Sequence, residues 1–289
     1  MLVPVALAII MFGLGVTLTP SDFARALRRP GLLIVALACQ LVVLPAFCFG
    51  LVAALQLPPL FAVGLVILAA SPGGATANLF SHLFGGEVAV NISLTAINSV
   101  ISLLTIPVLV HLATSLYLPN GEGVGLQPGK VVEMAATVLL PVALGMLLRH
   151  LRPTTAARAE RPVRIASMVV LALLVITAVV PAWPTVVANL GGLVAAAALL
   201  GAGSFTIGYL APRLAGIDVR RAITAAFEIG IHNAGVAIFV ATSALGLPEA
   251  AVPAAVYVLV MNVLALAFGF GVARPALARA RTPLSTGAD

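Results

Sequence analysis

SPGGATANLF, residues 71–80, stands inside an apolar segment running from about 60 to 84. Pro72 removes a backbone donor, and Gly73 and Gly74 add conformational freedom, so a helix is expected to break here. A break frees carbonyls and amides, which a bilayer tolerates only where they line a cavity or meet neighbouring helices. A Pro kink with small residues packing helix to helix would account for these residues alone. It does not account for FEIGIHNAG, residues 227–235, where Glu228, His232 and Asn233 stand beside Gly230 and Gly235 in a second apolar segment. A charged side chain at the bilayer centre costs at least about 2.5–3.5 kcal/mol, so one retained there faces a cavity, a pathway or a partner. Two interrupted apolar segments in corresponding halves of a chain mark the binding site of a secondary transporter.

Composition places both segments in hydrocarbon. The chain has 289 residues, 62% of them hydrophobic and 8% charged, with a mean hydropathy of +1.18; soluble domains carry about 25% charge. The expectation is an all-α, polytopic membrane protein. Cys39 and Cys48, nine apart in one segment, fall roughly half a turn out of phase on a helix and cannot pair.

Nine apolar segments are separated by turn and charge signals, near 1–19, 31–55, 60–84, 88–118, 131–149, 165–182, 188–212, 222–246 and 252–273. With the N-terminus outside, the cytoplasmic connections hold Arg25, Arg28 and Arg29; Arg149, Arg152, Arg158, Arg161 and Arg164; Arg213, Arg220 and Arg221; and Arg274, Arg279 and Arg281. That places 14 of the 15 Lys and Arg residues on one side, with Lys130 the exception. The basic balance is therefore a topology signal with some attraction for anionic lipid, and it calls for no nucleic acid. The first segment has its arginines after it, the reverse of a cleavable signal peptide, and is expected to stay as a span. The C-terminus is expected in the cytoplasm and the protein in the plasma membrane, the inner one if bacterial.

The fourth segment adds NISLTAINSVISLLT, residues 91–105. Asn91, Thr95, Asn98 and Ser102 follow nearly one helical stripe. Singly, such residues commonly bond their own helix; with Glu228 and Asn78 they offer the oxygen ligands a hard cation prefers. Gln40, alone in the second segment, is of the same kind.

MFGLGVTLTPSDF at 11–23, PGGATAN, the following VAVNISLT and EIGIHN resemble, in order and spacing, the bile acid:sodium symporter family, over nearly the whole chain. The resemblance implies an inverted-repeat core with two crossing broken helices, 31–118 and 188–273, and a panel, 1–28 and 131–187. Core and panel would move against each other to open a central site to each side in turn. The bacterial pattern of the family has ten spans in two inverted repeats; this chain is expected to start at the second, leaving nine.

Carried over residue by residue, the resemblance implies one sodium site from Glu228, Asn78 and Thr95. Two further serine ligands of that site are matched here by Ala77, which has no side-chain oxygen, and Asn91, which offers an amide oxygen. A second sodium site would use Gln40, the same carboxylate and a Gln that here is His232. Imidazole nitrogen is a softer ligand than sodium favours, so the second site is expected to be weakened or absent. His titrates near neutrality, which makes proton coupling through Glu228 and His232 the alternative to sodium. Asn233 and Asn262 match substrate-side positions. The exposed helix end near Ala75 and Thr76 favours an anionic group. The implied function is symport of a small organic anion with Na+, by an expected monomer in membrane lipid.

Other classes lack their chemistry. No HExxH, GxSxG or intramembrane aspartate pair is present, which counts against a hydrolase. An arsenite-type carrier would want a reactive Cys in a broken helix, and no repeat of selectivity residues points to a channel.

Overall fold

The computed structural model describes residues 2–28, 30–118 and 128–281; Arg29, the connection at 119–127 and the end of the basic tail lie outside them. Every regular element among the described residues is helical. α1 (Leu2–Thr17) and the short amphipathic α2 (Pro20–Leu27) precede a long helix made of α3 (Pro30–Ala38), a π turn (Cys39–Val43) and α4 (Leu44–Leu55). α5 (Pro59–Ala70) and α6 (Ala75–Leu83) flank the first break. α7 (Val88–Tyr117), α8 (Pro128–Leu151) and α9 (Pro153–Val179) are long, and the short α10 (Trp183–Ala188) leads into α11 (Leu190–Leu214). α12 (Val219–Gly230) and α13 (Ala234–Phe239) flank the second break, and a π turn (Val240–Ala244) continues α13. After a 3-10 turn at Pro248–Ala251, α14 (Val252–Phe268), a third π turn (Gly269–Ala273) and α15 (Arg274–Arg281) complete the fold.

Among the described residues seven helices are long and apolar enough to cross a membrane, or eight if α5 and α6, bent by 62°, count as one broken span. Helices stand at each expected segment. α1, with 16 residues, is apolar but shorter than the roughly 20 a perpendicular crossing needs. Three expected connections are helical instead. PSDFARAL forms α2 because Asp22 accepts hydrogen bonds from Thr19 N and Oγ1, both 2.7 Å, which close its first turn. The arginine-rich 153–164 stretch extends α9 from Pro153, where a missing N–H costs nothing. Trp183–Ala188, expected as a break, is α10.

Burial sorts the helices by position. The apolar stretch of 219–244 is completely buried, whereas only 17% of that of 129–151 and 11% of that of 153–179 is. α12 and α13 are thus the centre, and α8 and α9 form an outer wall. Leu140, Leu144, Leu173 and Ile176 on that wall are exposed, as lipid-facing residues should be. α1 packs mainly on α8 and α9, α11 on α12 and α14, α5 on α7, and α2 on α7.

Where α1 crosses α8, glycine is required by space. A Cβ at Gly145 would lie 2.6 Å from Phe12 O and Val16 N, and one at Gly15 would overlap the backbone of Val142. Small residues letting backbones touch are the usual basis of helix packing in lipid, where apolar burial gives no preference for protein over acyl chains. We expect Gly145→Leu to lower stability by about 1–3 kcal/mol through overpacking, seen as a lower melting temperature in detergent. Gly50→Ala, with nothing within 4 Å of the new methyl, should leave it unchanged.

Candidate functional site

Breaking a helix in hydrocarbon strands backbone groups, and here each break satisfies the other's. After Ala70 the chain turns extended at Ser71 (φ −74°, ψ 140°) and stays so at Gly74 (φ −148°, ψ −173°). After Gly230 it extends at Ile231 (φ −114°, ψ 104°). The two extended stretches cross, and Asn233 N donates to Pro72 O at 2.8 Å. Gln40 Nε2 donates to Ala69 O (3.1 Å) and Ser71 O (3.2 Å). His232 Nδ1 lies 3.3 Å from Ser71 O, and its Nε2 lies 3.4 Å from Ser204 Oγ. Tyr257 Oη donates to Gly230 O at 2.7 Å, and the Asn233 side chain caps α13 by accepting from Val236 N at 3.2 Å.

Gln40 reaches the break because of a proline five residues on. Pro45 has no N–H for the carbonyl of Leu41, and Leu44 N bonds Cys39 O across the wider π turn.

Glu228 is 2% exposed and lies beside the first break. Thr95 Oγ1 is 2.5 Å from its Oε2, and Asn98 and the backbone of Gly73 face the same carboxyl. A Cβ at Gly73 would stand 2.5–2.6 Å from the carboxyl atoms, so this glycine makes room for the acid. Among the described residues three buried oxygens, Glu228 Oε1, Gln40 Oε1 and Asn98 Oδ1, have no hydrogen-bond partner. Such orphaned acceptors are costly unless something positive faces them. Among the described residues no three His, Cys, Asp or Glu gather into a metal-binding group. The donor set is amide, hydroxyl and carboxyl oxygen, which fits a hard cation such as sodium.

The remaining expected ion residues divide. Asn91 Nδ2 and Asn78 Oδ1 are 2.6 Å apart. With the Asn91 amide turned over, its nitrogen donates to Thr224 O (3.0 Å) and its oxygen accepts from Asn78 N (3.1 Å). Thr95 links this pair to Glu228, since its hydroxyl is also 3.0 Å from Asn91 O. Gln40 and His232 sit on the other side of the crossing, at Ser71 O.

Beside the crossing lies a cavity of about 120 Å³. Ala75, Thr76, Asn233 and His232 line it, with Met11 and Leu171 on the opposite wall of α1 and α9. Asn262 is not among its lining residues; its Nδ2 bonds Val258 O of its own helix at 2.6 Å, and the neighbouring Met261 faces the cavity instead. Ser204, Tyr257 and Ser71 went unread in the sequence. Ser204 is one hydroxyl in an apolar helix and Ser71 an ordinary cap. Tyr257, one of only three tyrosines, carried the signal that a buried phenol needs a partner.

The profile of the Sodium Bile acid symporter family matches residues 4–189. The chain is 28% identical over 257 residues to the Uncharacterized sodium-dependent transporter YocS of Bacillus subtilis, covering 88% of this chain and 78% of that protein. It is 30% identical over 259 residues to the Probable sodium/metabolite cotransporter BASS1, chloroplastic, of Arabidopsis thaliana, covering 87% and 62%. To the human Ileal sodium/bile acid cotransporter it is 26% identical over 235 residues, covering 79% and 65%. It thus spans less than two thirds of the plant and human relatives. These relatives are named as transporters, not enzymes, and with the profile matching well over half of its length the chain belongs to the sodium bile acid symporter family.

Proposed function

We propose that this protein is a secondary active transporter that carries an organic anion into the cell with sodium, by alternating access. The observation that carries the reading is the juxtaposition of orphaned acceptors at Glu228, Gln40 and Asn98 with a cavity lined by the helix breaks at Thr76 and Asn233. Sodium, as cargo, would be held by Glu228, Thr95 and the nearby amide oxygens, offsetting a buried carboxylate that otherwise faces only hydroxyl and amide groups. The organic anion would sit across the crossing, at Asn233, Ala75 and Thr76. There the first turn of α6 offers partial positive charge.

Nine spans, with α1 and the α5–α6 pair each counted as one, belong to this reading. So do an inverted-repeat core (31–118, 188–273), a panel (1–28, 131–187) and an outside N-terminus with a cytoplasmic C-terminus. Two features support relative motion of panel and core. The cavity beside the crossing runs between them and takes Glu160 and Arg164 of the arginine-rich end into its wall. Met11, 1% exposed, lines both this cavity and a small void of about 10 Å³ that includes Pro72, Ser99 and Ser102. It therefore stands as a thin partition at the crossing, where a shift of α1 would open one side and close the other.

One observation favours a proton in the coupling. Thr95 Oγ1 has a single hydrogen and two acceptors in range, Asn91 O and Glu228 Oε2. Both contacts are satisfied when the carboxyl itself carries a proton, so proton and sodium would compete at Glu228. Uptake into proteoliposomes at fixed pH, with sodium replaced by choline, decides between them: sodium coupling predicts its loss, and undiminished uptake overturns sodium coupling.

Glu228→Gln and Thr95→Val should each abolish sodium-induced thermal stabilisation of the purified protein. With His232 filling the place of an oxygen ligand, the sodium activation curve of the wild type should be hyperbolic. His232→Gln should make it sigmoidal by restoring a second site, and an unchanged curve would show that the ring does not block one.

A further inference from the structure

Resting on the organic-anion reading, we infer that Arg164 receives the anionic group of the substrate at the cytoplasmic mouth of the cavity, on its way out of the site, and that Glu160 is the resident anion it displaces. Glu160, Arg164, Ser167, Met168 and Leu171 all line the cavity. Their spacing of 0, 4, 7, 8 and 11 residues places them along one face of α9. Down this face the character passes from ionic to hydroxyl to apolar. Across the cavity stand the helix breaks, so an anion released towards the cytoplasm leaves the weaker positive end of α6 for a full guanidinium.

Arg164 Nη2 and Glu160 Oε1 are 2.6 Å apart, with 48% and 37% of the two side chains exposed. An exposed pair of this kind contributes little to stability. It leaves the guanidinium fork able to exchange one carboxylate for another without burying an unpaired charge. Ser167 Oγ, one turn deeper, is buried with no hydrogen-bond partner among the described residues and offers a donor beneath the guanidinium.

The two roles separate by sign. If the pair only staples a helix, removing either member weakens the protein in the same direction. If Glu160 competes with the substrate, its removal tightens binding while removal of Arg164 weakens it.

Purified protein in saturating sodium would be titrated with cholate, pantoate and 2-oxoisovalerate, each beside its uncharged amide, following melting temperature. At least one acid, and not its amide, should stabilise the wild type. Arg164→Gln should raise the half-saturating concentration of that acid roughly tenfold, Arg164→Lys by less, and Glu160→Gln should lower it roughly threefold. Should Arg164→Gln not fold, tightening in Glu160→Gln and weakening in Arg164→Lys carry the same test. Equal half-saturation in all variants, or a shift of the same sign in the Glu160 and Arg164 variants, overturns this role for Arg164 and leaves the anion reading standing. If no acid stabilises the wild type while sodium alone does, the organic-anion reading fails and this inference with it.

Discussion

The fold is organised by one requirement: in hydrocarbon no peptide group can be left to water. The bond from Asn233 N to Pro72 O joins two stretches that are both unwound, so each break is tolerable only because the other is present. Mending one helix would remove the donors or acceptors the other depends on. The supporting parts answer the same requirement. The π turn ahead of Pro45 aims Gln40 at Ala69 O and Ser71 O, and Tyr257 reaches Gly230 O from α14. The stacked rings of Phe80, Phe84 and Phe227 wedge α6 against α12, and Arg274 closes the cluster over Phe84 and Phe270.

Within that crossing the residues are not all employed alike. Gln40 spends its nitrogen on the backbone and keeps its oxygen unpaired; Asn233 spends its backbone N–H and side-chain oxygen on the fold. Glu228 alone brings a full charge, and Gly73 is the only residue small enough to sit beside it. The structural demand and the binding demand therefore meet in the same few atoms. The orphaned oxygens are the polar atoms that the fold itself does not use.

How much of this was legible depends on the kind of signal. Pro72 with two glycines, and Glu228 in an apolar run, are violations of local rules, and violations stand out in a single sequence. The crossing of the breaks was not readable from the residues alone, because no local pattern records which backbone carbonyl meets which amide; the family resemblance supplied that expectation. Helix ends misled where charge was taken for loop: the arginine-rich 153–164 stretch is a good helix former and simply continues α9 out of the apolar region. Asn262 matched by register, yet its amide bonds its own helix and Met261 faces the cavity. One residue along a helix is a turn of about 100°, enough to trade a wall position for a neighbouring face. Ser204 left no trace in the sequence, since one serine among small residues is ordinary.

His232 shows how one side chain at the crossing can change while the architecture stays. Its ring spans Ser71 O and Ser204 Oγ and packs 5.3 Å from the ring of Tyr257. Its Nδ1 meets the Ser71 carbonyl and its Nε2 the Ser204 hydroxyl. The crossing needs a donor at Ser71 O, and Gln40 and an imidazole N–H both supply one. A side chain that supplies it can replace an ion ligand without stranding the backbone, because the bond between Asn233 and Pro72 does not pass through it. Position 232 is thus free to vary in chemistry. Glu228 is not: Thr95, Asn98 and Gly73 are all arranged around its carboxyl, and a neutral aliphatic side chain there would take away the acceptor they share, leaving Thr95 only the carbonyl of Asn91.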